Sequence, residues 1–109
     1  MNRNIIHIQK WKQETLPTES DLRQLMLGEG LSPSTWSNDP GDIYTAHSHN
    51  YHKVIYVVSG SITFGFPIDG QPITLRAGDR LDLPAGVAHN AAVGPDGVVC
   101  LEAKHTGSQ

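Results

Sequence analysis

From Tyr44 onward, apolar and polar residues alternate in short runs separated by glycine, proline and aspartate. Runs of this kind read as β-strands that bury one face. The pattern predicts strands at 44–49, 53–58, 61–66, 72–76, 80–83, 87–93 and 97–104. Ser59-Gly60 reads as a tight hairpin turn and Asp69-Gly70 as a second one. Upstream, Asn4 to Trp11 alternates weakly, and Ser32 to Trp36 gives a short strand before the turn-rich Asn38-Asp39-Pro40-Gly41. Only Thr18 to Leu27 has a helical period. Thr18 serves as the cap with Asp21 as its return partner, and Leu22, Leu25 and Met26 fall on one face. Gly28 is placed to end that helix. Many short strands and one short helix predict a mostly β sandwich or barrel. Ile55, Val57, Phe64 and Phe66 are candidate core residues, whereas Tyr56, on the opposite parity, is expected outside the barrel.

Composition narrows the class. The chain has 109 residues, enough for one domain with a single core. Its net charge is −3 and 17% of its residues are charged, which argues against a nucleic-acid partner because no basic stripe is present. No apolar run is long enough to span a membrane. Met1 to Lys10 has no apolar signal-peptide core, so the expected setting is cytoplasmic. The lone cysteine, Cys100, fits a reducing compartment, and within Val98-Val99-Cys100-Leu101 it reads as a small core residue.

The candidate chemistry is carried by histidines. His47 and His49 are two residues apart, so on a strand over 44–49 they project to one face. Two imidazoles on one face, joined by His89 from a later strand, can hold a transition metal. His52 follows closely but would point away on a regular strand, unless a bend at Asn50-Tyr51 redirects it as a fourth ligand. His7 and His105 match no motif.

The chain resembles a small single-domain member of the cupin superfamily. That family's first motif reads G-x5-H-x-H-x3,4-E-x6-G; here the matching positions are Gly41, His47, His49, Lys53 and Gly60. Every spacing fits and only the acid is replaced, by Lys53. The second motif, G-x5-P-x-G-x2-H-x3-N, appears as Gly78, Pro84, Gly86 and His89, with Val93 in place of the final Asn. The resemblance implies a double-stranded β-helix (jelly-roll) barrel over 41–105 with an internal metal site, and a homodimer. Residues 1–40 then form an N-terminal extension of strand, helix 18–27 and strand packed on the barrel, and 106–109 a loose tail.

Lys53 sets how far that chemistry carries over. An ammonium has no lone pair and cannot ligate a cation while charged. Three readings stay open: a three-histidine site with Lys53 turned outward or paired with an acid, a cavity in which Lys53 binds an anionic ligand, or a site that has lost its metal. Glu102 is the one candidate counter-ion. Three imidazoles without a carboxylate suit Zn, Fe, Ni, Cu, Co or Mn over Mg or Ca. Tyr51 shares parity with Lys53 and is a candidate pocket residue along with Lys53 and Glu102; Tyr44 also lies beside the first motif. Trp11 and Trp36 are expected to pack against the barrel or a partner chain. Two function classes follow. One is a metal-dependent enzyme acting on a small organic, anionic molecule, of the dioxygenase, isomerase or lyase type that the resemblance implies, with Lys53 or His52 as candidate acid-base groups. The other is a binding or sensing module without turnover.

Overall fold

Two long strands, each bent at a glycine, frame the computed structural model, which describes residues 6–68 and 70–105. The elements run β1 (His7–Gln9), α1 (Glu19–Gly28), β2 (Ser34–Asn38), β3 (Ile43–His47), β4 (His52–Phe66), β5 (Gly70–Arg76), β6 (Arg80–Leu83) and β7 (His89–His105). β4 and β7 pair antiparallel along nearly their whole length, from His52↔His105 to Gly65↔Asn90. The first half of β4 also pairs with β6 and its second half with β5. β7 takes β3 at its start and β2 near its end. The result is two sheets sharing β4 and β7: β1-β6-β4-β7-β2 on one side and β5-β4-β7-β3 on the other. This is the double-stranded β-helix that the resemblance implied, and it is mostly β as the strand pattern predicted.

The bend lies at Gly60, so the predicted hairpin at Ser59-Gly60 is replaced by a bulge within one continuous strand. Likewise 87–93 and 97–104 are one strand, β7, bent at Gly97. Gly60 and Gly97 have φ of +77° and +76°. A Cβ on Gly60 would collide with the Gly97 carbonyl, so the strands meet backbone to backbone there. The bulge also shifts the parity. Ile55 and Val57 face the barrel core before it, and Ile62 and Phe64 after it. The Asp69-Gly70 turn falls partly outside the described residues, since Asp69 is not among them; β5 starts at Gly70, paired with Phe66. Of the strand expected over 4–11, His7–Gln9 is regular and the first residues lie outside the described range, as does the tail at 106–109. The strand expected at 32–36 sits slightly later, at Ser34–Asn38.

The helix matches its expected start. Thr18 is the N-cap, and its side chain and that of Asp21 exchange backbone hydrogen bonds at 3.0 Å each. It ends one step later than predicted. Gly30, with φ +80°, supplies the left-handed residue, while Gly28 remains helical. Gly30 N donates to Leu27 O and Leu31 N to Met26 O, both at 3.0 Å, which satisfies two end carbonyls. Leu22, Met26 and Leu31 then bury themselves against Val54, Tyr56, Leu101 and Ala103 on the outer face of β4 and β7. Leu25 does not join them and is 46% exposed, because the buried stripe is only one residue wide per turn. Tyr56 thus lies outside the barrel as expected, under the helix.

A second tie fixes the N-terminal segment. Asp79, in the turn between β5 and β6, accepts hydrogen bonds from Lys10 Nζ at 2.7 Å, Trp11 N at 2.9 Å and Arg76 N at 2.8 Å. Burial alone raises the Asp79 pKa, but these donors outweigh it and the carboxyl is held below its ordinary value.

Candidate metal centre

His47 and His89 are directly opposed across β3 and β7, so sheet register places them on one face. His49 does not lie on β3 as predicted. The strand ends at His47, and His49 sits in the following loop. The turn of the second motif holds it there: Gly86 N donates to His49 O at 2.7 Å. The three rings gather, with centroids 4.9 Å apart for His47–His49, 4.5 Å for His47–His89 and 5.4 Å for His49–His89. One ring nitrogen from each lies within 4.8 Å of the others.

Backbone contacts orient two of these rings. His47 Nδ1 lies 2.9 Å from Thr45 O and His89 Nδ1 3.0 Å from Val87 O. A carbonyl only accepts, so each Nδ1 carries a proton, which in the neutral ring leaves the lone pair on Nε2. Such a carbonyl partner is the usual orienting device behind a metal-ligating histidine. Burial, then the charge of Lys53, holds the His49 pKa below its ordinary value; at His89 burial is again the leading cause of a lowered value. Both shifts favour the neutral ring, the form a metal requires.

Lys53 faces the same space. It lies opposite Lys104 on β7, and Glu102 is its diagonal neighbour on the shared face. Its Nζ stands 3.3 Å from His49 Nε2 and 3.5 Å from Glu102. Glu102 is seated in turn by Trp36, whose Nε1 donates to Oε1 at 2.9 Å. Trp36 was expected only to pack. Its position two residues from the partner of Glu102 on β2 brings the indole across the strand pair. The signal was available in principle, since a half-buried indole N–H needs an acceptor. These side chains line a cavity of about 430 Å³ with Tyr44, Asn38 and an apolar wall of Ile55, Ile62, Phe64 and Ala91. Asn38 contributes a buried Oδ1 without a hydrogen-bond partner.

Two candidates stand elsewhere. Tyr51 stacks on the His49 ring, centroids 5.0 Å apart, and receives the Lys104 ammonium on its own ring, but it does not line the cavity. His52 lies on the opposite face of β4. Its Nδ1 accepts from Ala85 N at 3.0 Å, and it borders a separate groove of about 390 Å³ with His7, Arg80 and His105. That parity excludes it from the histidine cluster, because the bend at Asn50-Tyr51 precedes the strand and does not rotate it. Cys100 is fully buried in the barrel core and burial pushes its thiol up to about 12, in keeping with a packing role.

A double-stranded β-helix with three clustered imidazoles and a ligand-sized cavity defines a small barrel protein with a candidate metal site. The sequence model of the Cupin domain matches residues 34–103, and the chain belongs to that family. Among solved structures, a DUF861 family protein from Thermotoga maritima aligns over 93% of this chain and 100% of its own, with a TM-score of 0.66 and 17% identity. An RmlC-like cupin from Shewanella frigidimarina NCIMB 400 aligns over 72% of this chain and 68% of its own, with a TM-score of 0.60 and 28% identity. KdgF from Halomonas sp. aligns over 68% of this chain and 67% of its own, with a TM-score of 0.55 and 29% identity. No curated protein matches at a significant level.

Proposed function

We propose that this cupin holds one divalent transition metal through His47, His49 and His89 and acts as a metal-dependent enzyme on a small organic molecule. The observation that carries the reading is the orientation of His47 and His89, whose Nδ1 atoms are committed to backbone carbonyls so that Nε2 is free. Nitrogen donors with no carboxylate favour Zn, Fe, Ni, Cu, Co or Mn. Such an ion supplies Lewis-acid activation and open positions for substrate or water. The protein's own part is to shape an apolar-walled cavity, keep His49 and His89 neutral, and hold a cation, Lys53, beside the reacting space.

A second reading is favoured by the 3.3 Å contact of Lys53 with His49: a metal-free binding module in which Lys53 holds an anion. The reading includes a homodimer, supported by the exposed Ile43 and Tyr44 on edge strand β3, and a cytoplasmic setting. It also takes residues 1–40 as an extension that covers the outer face of β4 and β7 through α1.

The test is the metal content of purified protein by mass spectrometry beside His49→Ala. We expect about one equivalent of a transition metal in the wild type, the single site that three imidazoles can form, and its loss in the variant. No metal after incubation with Zn, Ni, Fe or Cu salts would refute the enzyme reading and favour the second.

A further inference from the structure

Resting on that metal reading, we propose that Lys53 makes the cavity a joint site for a metal ion and a small carboxylate, each binding weakly alone and tightening the other. The argument starts from one lone pair. His47 and His89 present Nε2 freely, but His49 Nε2 has the Lys53 ammonium 3.3 Å away. An ammonium can only donate, so the bond uses the lone pair that a metal needs. An ion that takes His49 must therefore displace Lys53 and remain beside a positive charge.

Glu102 offers Lys53 incomplete relief. Their separation of 3.5 Å exceeds that of a charge-assisted hydrogen bond, and Trp36 fixes the carboxylate from the other side at 2.9 Å. Lys53 and Glu102 cancel in formal charge, and imidazole ligands, which bind a metal in their neutral form, add none. A divalent ion thus arrives as an unbalanced double charge in a cavity whose wall is Ile55, Ile62, Phe64 and Ala91. A ligand carboxylate supplies what is missing. It accepts from Lys53 at a shorter distance than Glu102 does, draws the ammonium off His49 and lowers the charge around the ion. Without the ion the same carboxylate must share Lys53 with Glu102, whose like charge opposes it. Coupling of this kind is reciprocal by linkage.

Zinc titration by calorimetry, with and without benzoate, tests this; benzamide is the uncharged control of the same shape. In the wild type, benzoate is expected to tighten zinc binding about tenfold and benzamide to leave it unchanged. Lys53→Met should bind zinc more tightly than wild type on its own, and benzoate should then add less than about twofold. Lys53→Gln, which keeps polarity without charge, gives the same comparison if the methionine variant does not fold. An equal benzoate effect in wild type and variant would overturn the proposal, as would a zinc affinity that Lys53→Met leaves unchanged. If zinc binds, is lost in His49→Ala and ignores Lys53, only this inference falls. If no variant binds zinc, the metal reading falls with it.

Discussion

Replacing Asp79 with alanine is expected to be among the most damaging single changes outside the barrel core. Asp79 is 4% exposed and its carboxylate accepts from two backbone amides, Trp11 N and Arg76 N, and from Lys10. A hydrogen bond to a charged group contributes about 1.5–3 kcal/mol, so the two amides account for roughly 3–6 kcal/mol. The lysine adds less than about 1 kcal/mol, because its side chain is 51% exposed. Water entering the vacated space re-solvates part of the amides and brings the expected loss to about 3–4 kcal/mol. Urea denaturation at pH 7 reads this directly. The pH dependence identifies the cause. The folded-state pKa of Asp79 is depressed, so its contribution is complete above the unfolded value of about 3.9 and is lost as pH falls through the folded value. The gap between wild type and Asp79→Ala should therefore narrow on acidification below about pH 4. A gap under about 1 kcal/mol at pH 7 would refute the clamp. A large gap that persists unchanged in acid would assign the effect to packing instead of to the charged acceptor.

Other perturbations isolate single features. Gly60→Ala should cost more than about 2 kcal/mol, since it combines a left-handed residue with a collision against the Gly97 carbonyl. Gly30→Ala, where an added Cβ meets nothing within 4 Å, should cost only the left-handed term of about 1–2 kcal/mol; equal losses in urea would remove the collision from the account. Cys100 should resist a thiol reagent at pH 7 until the protein is unfolded, because it is fully buried with a thiol near 12. Rapid labelling of native protein would contradict that placement.

The strands and the helix were legible because their signals are local. Alternation marked Arg80–Leu83, and the Thr18/Asp21 box marked the helix start to the residue. The misreadings share a different cause. A glycine with positive φ serves a hairpin and a bulge equally well, and only the partner strand distinguishes them. Both flanks of Gly60 pair with β7 and not with each other, a fact carried by residues some forty positions away. The end of β3 was hidden for the same reason: Ser48 and His49 have nothing in their own sequence to stop a strand, whereas β7 stops offering partners at His89. Leu25 was miscounted because one helical turn has more apolar residues than the sheet beneath it can cover.

The site divides along the same line. Spacing brought His47, His49 and His89 into view and set Lys53 in their neighbourhood, but whether Lys53 turned into the cavity stayed open until the fold was described. Trp36 and Glu102 were each visible, but their relation was not, because it depends on the register of β2 against β7. Ser34 lies opposite Glu102 and Trp36 opposite Cys100, so the indole reaches diagonally to the carboxylate that also faces Lys53. A shift of one residue in that register would turn Trp36 to the outer face and leave Glu102 without its donor. Lys53 would then be free to close on Glu102 and leave His49. The charges beside the histidines are therefore arranged by the register of β2, a strand that contributes no metal ligand.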